Sequence, residues 1–131
     1  MKTYTIPGRL VPKKNSKRVY PGRKKPVGSP RWKVYEKFAA FTLMAQNAGL
    51  DKRTDLLHVT AVYYCPNRTQ PDVSAMHETV GDLLEAGGII ENDKQIRSWD
   101  GSRIYIDRDN PRVEILVRRY IADVLPKGAE E

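Results

Sequence analysis

The sequence predicts an α+β fold, a single domain spanning residues 1–131 in which a mixed β-sheet is packed by two main helices. Two observations support this prediction. Stretches with helical spacing of apolar residues alternate with short β-branched or aromatic stretches that are typical of strands. A length of 131 residues suits one domain, and neither a repeat nor a second domain boundary is evident.

The first half predicts a short strand and a helix. Thr3–Ile6 forms the strand, which Pro7 and Gly8 end. Ser29-Pro30 begins the helix, which runs to about Asn47 before Gly49. Apolar residues recur along it at helical spacing and are expected mainly in the core: Val34, Phe38, Phe41 and Ala45, with Trp32, Tyr35 and Leu43 on neighbouring rows.

The second half predicts a central strand, a helix and two further strands. The strand spans 56–64 and the helix 73–85, which Gly87 and Gly88 break. Val73, Met76, Val80, Leu83 and Leu84 share the helix face expected to cover the sheet. Residues 96–106 and 112–120 read as two strands joined by a hairpin-type connection at 107–111. Val113, Ile115 and Val117 alternate with Glu114, Leu116 and Arg118, which predicts one buried face.

Charge is distributed unevenly, which indicates a polyanionic partner. The net charge is +7, yet residues 1–37 hold twelve Lys or Arg and one acid, so the remainder balances to −4. Residues 13–30 are expected to form a flexible basic loop, and 126–131 a frayed tail. The alternative is that the basic arm only aids solubility. The candidate nucleic-acid-binding residues are Lys13, Lys14, Lys17, Arg18, Arg23, Lys24, Lys25 and Arg31.

Composition argues against several protein classes. No apolar run approaches the ~18 residues that a membrane span needs. The N-terminus lacks the apolar core of a signal peptide, so a cytoplasmic location is expected. The single Cys65 leaves no internal disulfide and no thiolate metal site.

An acidic stretch stands out against this basic chain. From Asp72 to Asp93 there are six acids and no Lys or Arg. Ser74, Glu78, Asp82 and Glu85 fall on one helix face, opposite the apolar row. A solvated helix face usually explains such a row. Here, however, the like-charged Glu78 and Asp82 are one turn apart without a basic partner on the helix, which is mildly destabilising.

Carboxylates without basic partners favour a divalent cation, because Mg²⁺ and Mn²⁺ prefer hard oxygen ligands. Such an ion can activate water and stabilise a leaving oxygen in phosphodiester hydrolysis. Spacing alone does not choose between a metal site and a solvated face. The basic arm favours the metal site, so the sequence predicts metal-assisted cleavage of a nucleic acid.

The chain resembles the RusA family of Holliday-junction resolvases, which phages and prophages commonly encode. The resemblance rests on PDVSAM at 71–76 with Asp82-Leu83-Leu84, on AGGIIENDKQI at 86–96, and on the basic opening at 4–18. It implies a Mg²⁺-dependent homodimer (Mn²⁺ being a possible substitute) that cuts branched, four-way DNA.

The resemblance also implies site residues. Asp72 matches the family's first catalytic Asp, Asp82 its helical Asp, and Asp93 the second Asp of a later pair. Asp72, Glu78, Asp82 and Asp93 are the expected metal ligands, with Asp72, Glu78, Asp93 and Lys94 as catalytic residues. Glu85 and Glu91 are assigned to the solvated surface.

This sequence departs from the family pattern in ways that bear on activity. Ser74 stands where an Asp is usual, Glu78 where a Lys is usual, Asn92 replaces the first Asp of the later pair, and Ala75 replaces an Asn. Our hypothesis is that Glu78 supplies the carboxylate missing at Ser74, and that Lys94 or a Lys of the basic loop replaces the lost Lys. The alternative is a catalytically weak or inactive protein that only binds junctions.

Three further features of the sequence bear on its function. Pro71-Asp72 is also found in restriction-type nucleases, but neither Glu91 nor Asp93 has the Lys two residues later that their pattern requires. His77 is a candidate general base. Trp99 is expected in the core, although a dimer interface or a DNA contact is also compatible with its position.

Overall fold

The structure, a computed structural model, describes residues 1–13 and 30–122 together with the backbone of 17–18 and 27–28. Along these residues the elements follow in the order β1 (Lys2–Pro7), β2 (Lys17–Arg18), β3 (Val27–Gly28), α1 (Pro30–Gln46), β4 (Leu57–Cys65), α2 (Val73–Ala86), a 3-10 turn (Asp93–Gln95), β5 (Ile96–Ser98), β6 (Arg103–Ile106) and β7 (Arg112–Arg119). The predicted α+β class, a mixed sheet packed by two helices, is confirmed.

Strand β4 lies at the centre of the main sheet. It pairs antiparallel with β7, which in turn pairs antiparallel with β1. On its other edge β4 pairs in parallel with β5 near its start and with β6 near its end. Helix α2 therefore connects β4 to the parallel strand β5, and the segment that follows α2 returns to the sheet beside it.

The predicted hairpin between residues 96–106 and 112–120 is wrong. A turn divides the first of these segments into β5 and β6, with Ser102 N donating to Trp99 O (3.2 Å) and Gly101 at φ +90°. Both halves pair with β4, whereas β7 pairs with the opposite edge of β4. Both halves are rich in strand-forming residues, which is why the sequence predicted one continuous strand. Gly101 turns the backbone between them.

The helices cover one face of the sheet. The predicted alternation in β7 is confirmed, since Val113, Ile115 and Val117 are fully buried. Across the sheet, Ile115 pairs with Tyr4 on β1 and with Ala61 on β4, which places the buried side chains of the three strands on one face. From α2, the side chains of Met76, Val80, Leu83 and Leu84 join this core, whereas Val73 stays exposed.

Helix α1 buries only one of the two sets of apolar residues expected in the core, and the burial of Trp32, Tyr35 and Leu43 is confirmed. Trp32, Tyr35, Ala39 and Leu43 face the core. Val34 is 70% exposed, Phe38 45% and Phe41 73%, and Ala45 is also exposed, so the prediction that these four pack in the core is wrong. The helix carries two apolar rows, and only one of them can face the sheet.

Side-chain hydrogen bonds fasten the end of α1 to the edge strand β1. The Gln46 carboxamide accepts from Thr5 N (2.9 Å) through Oε1 and donates to Thr5 O (2.7 Å) through Nε2. Next to it, the buried Tyr4 hydroxyl donates to Asn47 Oδ1 (2.7 Å). The orientation of α1 on the sheet is thereby fixed at its C-terminal end.

Several predictions fall on other parts of the chain. Most of the basic loop at 13–30, and the tail at 126–131, lie outside the described residues; β2 and β3 pair antiparallel within the loop. Among the helices described, none is long and apolar enough to cross a bilayer.

Candidate metal centre and adjoining cavity

Asp72 begins helix α2 as its N-cap. Its backbone is extended (φ −66°, ψ 156°), and its Oδ1 accepts from Ala75 N (3.0 Å) and from Ser74 Oγ (3.0 Å). This is the usual geometry by which a side-chain carboxylate satisfies an unpaired amide in the first turn. The Ser74 hydroxyl therefore donates to the neighbouring carboxylate and adds no charge of its own.

The 3-10 turn that holds Asp93 is fixed from both sides by Asn92 and Gln95. Asn92 accepts from Lys94 N (2.8 Å), while Gln95 Oε1 accepts from Glu91 N (2.9 Å) and Asn92 N (2.8 Å). The buried Gln95 side chain also donates through Nε2 to Arg53 O (3.0 Å) and to Asp55 O (2.9 Å). Asn92 thus serves as the N-cap of the turn.

Gly81 allows this turn to approach α2 closely. A Cβ at position 81 would lie 3.3 Å from Asp93 Cβ and 3.9 Å from Ile96 Cδ1. The backbone of the same residue is also held, because Asp93 N donates to Glu85 Oε1 (2.9 Å). The Asp93 side chain is therefore held against the polar face of the helix.

Three carboxylates converge at this place. Asp82, Glu85 and Asp93 each offer an oxygen, and these oxygens all lie within 4.8 Å of one another. The assignment of Glu85 to the solvated surface needs correction, because Glu85 is half-buried in this cluster and binds the Asp93 amide. Glu91 is exposed, as predicted. Glu85 lies three residues after Asp82 on the same polar row, which was a usable signal.

The electrostatics of the cluster centre on Asp82. Burial raises its pKa above the usual 3.8, and nearby Asp93 and Glu78 raise it further. Lys13 opposes this shift, with its Nζ 3.7 Å from Asp82 Oδ2. Burial is therefore the main reason that ionised Asp82 is disfavoured, and the two neighbouring acids add to it.

The segment that carries Lys13 docks directly on α2. Lys13 N donates to Thr79 Oγ1 (3.1 Å), and Thr79, which is 1% exposed, donates to Ala75 O (3.0 Å). Of the predicted nucleic-acid-binding residues, only Lys13 and Arg31 have described side chains, and Arg31 is exposed at the start of α1. Lys14, Lys17, Arg18, Arg23, Lys24 and Lys25 stay predictions.

A cavity of about 340 Å³ opens beside the cluster. Ser74, His77, Glu78 and Gly81 line it from α2, and Asp93, Ile96 and Trp99 line it from the returning segment. His77 and Trp99 stack with centroids 4.2 Å apart and ring planes 8° apart, and the Tyr63 hydroxyl lies 2.7 Å from His77 Nδ1. Burial lowers the pKa of His77, so this imidazole is neutral around pH 7.

The structure gathers the predicted site residues unevenly. Asp82 and Asp93 belong to the cluster, and Glu78 shares the cavity with Asp93. Asp72 lies at the start of α2, ten residues and therefore about 15 Å along the helix axis from Asp82. Lys94 is exposed next to Asp93. Trp99 packs against the core, as expected, in addition to lining the cavity.

The donors suit a hard divalent cation. Carboxylate oxygens are the ligands that Mg²⁺ and Mn²⁺ prefer, and three of them converge here. Within the described residues this is the one group of at least three acidic, His or Cys side chains whose ligand atoms converge in this way.

Comparison with known proteins identifies the family. A search of the curated proteins found no match. The family model described as endodeoxyribonuclease RusA, however, matches residues 7–118, which include both helices, the carboxylate cluster and nearly all of β7. A match over this much of the chain confirms the resemblance. The chain belongs to the RusA family of endodeoxyribonucleases.

Proposed function

We propose that this chain is a metal-dependent endonuclease that resolves four-way DNA junctions by paired phosphodiester hydrolysis. The observation that carries the proposal is the convergence of Asp82, Glu85 and Asp93 beside an open cavity, in a member of a DNA endonuclease family. Carboxylates gathered in this way suit phosphoryl chemistry, whose transition state gains most from positioned cations and donors.

Asp82, Glu85 and Asp93 would hold Mg²⁺ or Mn²⁺, with Asp72 and Glu78 as the further predicted ligands. When bound, the metal would supply Lewis-acid activation of water and of the phosphodiester. Asp72 lies about 15 Å along α2 from Asp82, whereas ligand oxygens lie about 2 Å from a Mg²⁺ ion. Asp72 and Asp82 therefore could not bind one ion. Asp93 contacts both the cluster and the cavity and would link the two ends of the site.

The remaining residues would bind and orient the substrate. Lys13, already beside Asp82, would contact a phosphate or a departing oxygen, as could the exposed Lys94. Glu78 would supply the charge that Ser74 lacks. The basic residues of the 13–25 loop and Arg31 would bind the DNA backbone, so affinity should fall steeply with salt. A dissociation constant that barely changes between low and moderate salt would refute that role.

Paired cutting requires two sites, which a homodimer with two-fold symmetry would supply. The exposed apolar row of α1, namely Val34, Phe38 and Phe41, is the surface we assign to this contact. Apolar residues on an interface of this kind are ordinarily covered by a partner. The opposite face of α1 packs in the core and is therefore not available for a contact between subunits.

The test is nicking of a synthetic four-way junction in Mg²⁺ or Mn²⁺. We expect the wild-type protein to cut and Asp72→Asn and Asp93→Asn each to lose activity. Glu91→Gln is the matched control, because Glu91 is an exposed acid near the turn but outside the cluster. Glu78→Gln examines the substituted carboxylate; unchanged metal-dependent cutting by this variant would refute its role.

The second candidate is a protein that binds junctions without cutting them. It is favoured by Ser74, whose uncharged hydroxyl is engaged with Asp72 at the position where the family pattern has an Asp. Junction binding by the wild-type protein with no cleavage in either metal would establish this function and refute the nuclease.

A further inference from the structure

The cavity beside the carboxylates has a composition that metal binding alone does not explain. One side is acidic, with Glu78 and Asp93, while the other is formed by Ile96 and the paired rings of His77 and Trp99. A metal site needs the oxygens but has no use for a flat aromatic surface next to them.

The aromatic surface is rigid. The Tyr63 hydroxyl, on a side chain only 1% exposed, holds His77 Nδ1 at 2.7 Å, and His77 lies parallel to Trp99. Trp99 in turn begins the tight turn closed by Ser102, whose Oγ also donates to Trp99 O (2.7 Å). A fixed aromatic face binds a planar group with little loss of conformational entropy.

The acidic side restricts what the cavity can accept. A carboxylate oxygen that is not bound to the metal accepts hydrogen bonds, so the acidic side suits a neutral ring that carries N–H donors. Nucleobases are planar, neutral and edged with such donors, and every base has a face that stacks on an aromatic side chain. Among the parts of a DNA strand, the base is therefore the one that fits the aromatic side of this cavity.

We infer that this cavity seats an unstacked nucleobase next to the cleaved phosphate, stacked on the outer face of the His77–Trp99 pair, with an oxygen of Glu78 or Asp93 that is not bound to the metal as the acceptor at its edge. The inference rests on the proposed function for the position of the phosphate. A base held here would set the register of the strand against the carboxylates.

The test combines variants of the protein with variants of the DNA. A set of junctions, each carrying one abasic nucleotide at a successive position around the branch, is cut by the wild-type protein and by Trp99→Ala. We expect one abasic position to slow the wild type about tenfold, the size of one base–aromatic stack. Trp99→Ala should cut the intact junction more slowly by a similar factor. The variant and the abasic position together should lower the cleavage rate no more than either does alone. Trp99→Phe should retain most activity.

Tyr105→Ala is the control, because Tyr105 is exposed and stacks on Tyr64, away from the residues that line the cavity. It should cut the whole set like the wild type. If the factors for Trp99→Ala and for the abasic position multiply, or if no abasic position matters, the inference is overturned. The abasic series on the wild-type protein decides the question even if Trp99→Ala does not fold.

A second measurement separates this inference from the proposed function. The chain has two tryptophans, and Trp32 is buried, so the emission difference between wild type and Trp99→Phe reports on Trp99. In EDTA and again in Ca²⁺, we expect the junction to quench this emission and one abasic position to abolish the quenching. Quenching without any cleavage would support the base site while refuting the nuclease. Cleavage that does not depend on any abasic position would support the nuclease while refuting the base site.

Discussion

Replacing Glu85 by Gln should make the metal-free protein more stable. The carboxylate oxygens of Asp82, Glu85 and Asp93 lie within 4.8 Å of one another. At that separation two charges repel by roughly 3.5 kcal/mol at an effective dielectric constant of 20 and by about 0.9 kcal/mol in water. The change removes two of the three repulsive pairs.

The substitution also weakens one favourable contact. Glu85 Oε1 accepts from Asp93 N at 2.9 Å, and an amide oxygen retains this bond at a cost of about 1 kcal/mol relative to a charged acceptor. Because these carboxylates are partly or fully exposed, the value in water applies to both pairs, about 1.8 kcal/mol in all, and the net expectation without metal is a gain of about 1 kcal/mol. For a domain of this length, that gain raises Tm by about 4 °C per kcal/mol.

With Mn²⁺ present the order should reverse. At a concentration 100 times Kd, a bound metal stabilises the wild type by about 2.7 kcal/mol. If losing one ligand weakens binding about 100-fold, the same concentration stabilises Glu85→Gln by only about 0.4 kcal/mol. The assay is thermal unfolding in EDTA and across a Mn²⁺ titration.

Glu91→Gln is the matched control, since this nearby acid is exposed and lies outside the cluster. It should follow the wild type in both conditions. The reasoning is refuted if Glu85→Gln and Glu91→Gln show the same Tm in EDTA and the same response to Mn²⁺.

Three other variants test separate parts of the structure. Gly81→Ala removes a helix penalty of about 1 kcal/mol but crowds Asp93 Cβ, 3.3 Å from the new methyl group. Urea unfolding should therefore change by no more than about 1 kcal/mol while junction cutting falls at least about tenfold, and unchanged cutting would contradict this. Phe41→Glu should give a folded monomer by light scattering and circular dichroism, because Phe41 is 73% exposed; a persistent dimer would exclude α1 as the interface. Asp82 has a raised folded-state pKa, so its ionisation costs stability as pH rises from the unfolded value of 3.8 through the folded value, and the cost remains at pH 7. Asp82→Asn should thus be more stable than the wild type at pH 7 in EDTA, with the difference vanishing below pH 3.8; equal melting curves at pH 7 would count against it.

The sequence was sufficient to predict α2 and its division into two faces. Met76, Val80, Leu83 and Leu84 are buried and Asp82 lies on the opposite row, as their spacing indicated, whereas the proximity of Asp82 to Asp93 was implied only by the family resemblance. Periodicity succeeds here because one face is strongly apolar and the other acidic. Helix α1 gives no such contrast. Its rows of Phe38 and Leu43 are both apolar, so only the packing of the whole chain decides which row is buried.

Other features depend on long-range contacts that local pattern does not contain. The pairing of β6 with β4 rather than with β7 follows from where the chain returns after α2. The position of Glu85 is partly such a feature, because its spacing from Asp82 places it on the polar row but does not show that it joins a cluster. What distinguishes Glu85 is a hydrogen bond to Asp93 N, eight residues away, which forms only when the 3-10 turn packs on α2.

The Gln46 carboxamide has a consequence for how two copies of this chain can meet. Strand β1 is an outer strand of the main sheet, and an outer strand offers its free amides and carbonyls to any other extended chain. Gln46 binds both the amide and the carbonyl of Thr5 at the middle of β1, as a neighbouring strand would. A second sheet therefore cannot continue across this border without first displacing the end of α1. At the β1 edge, growth into a continuous intermolecular sheet is therefore blocked, and two copies that meet on this side of the molecule must do so through side chains.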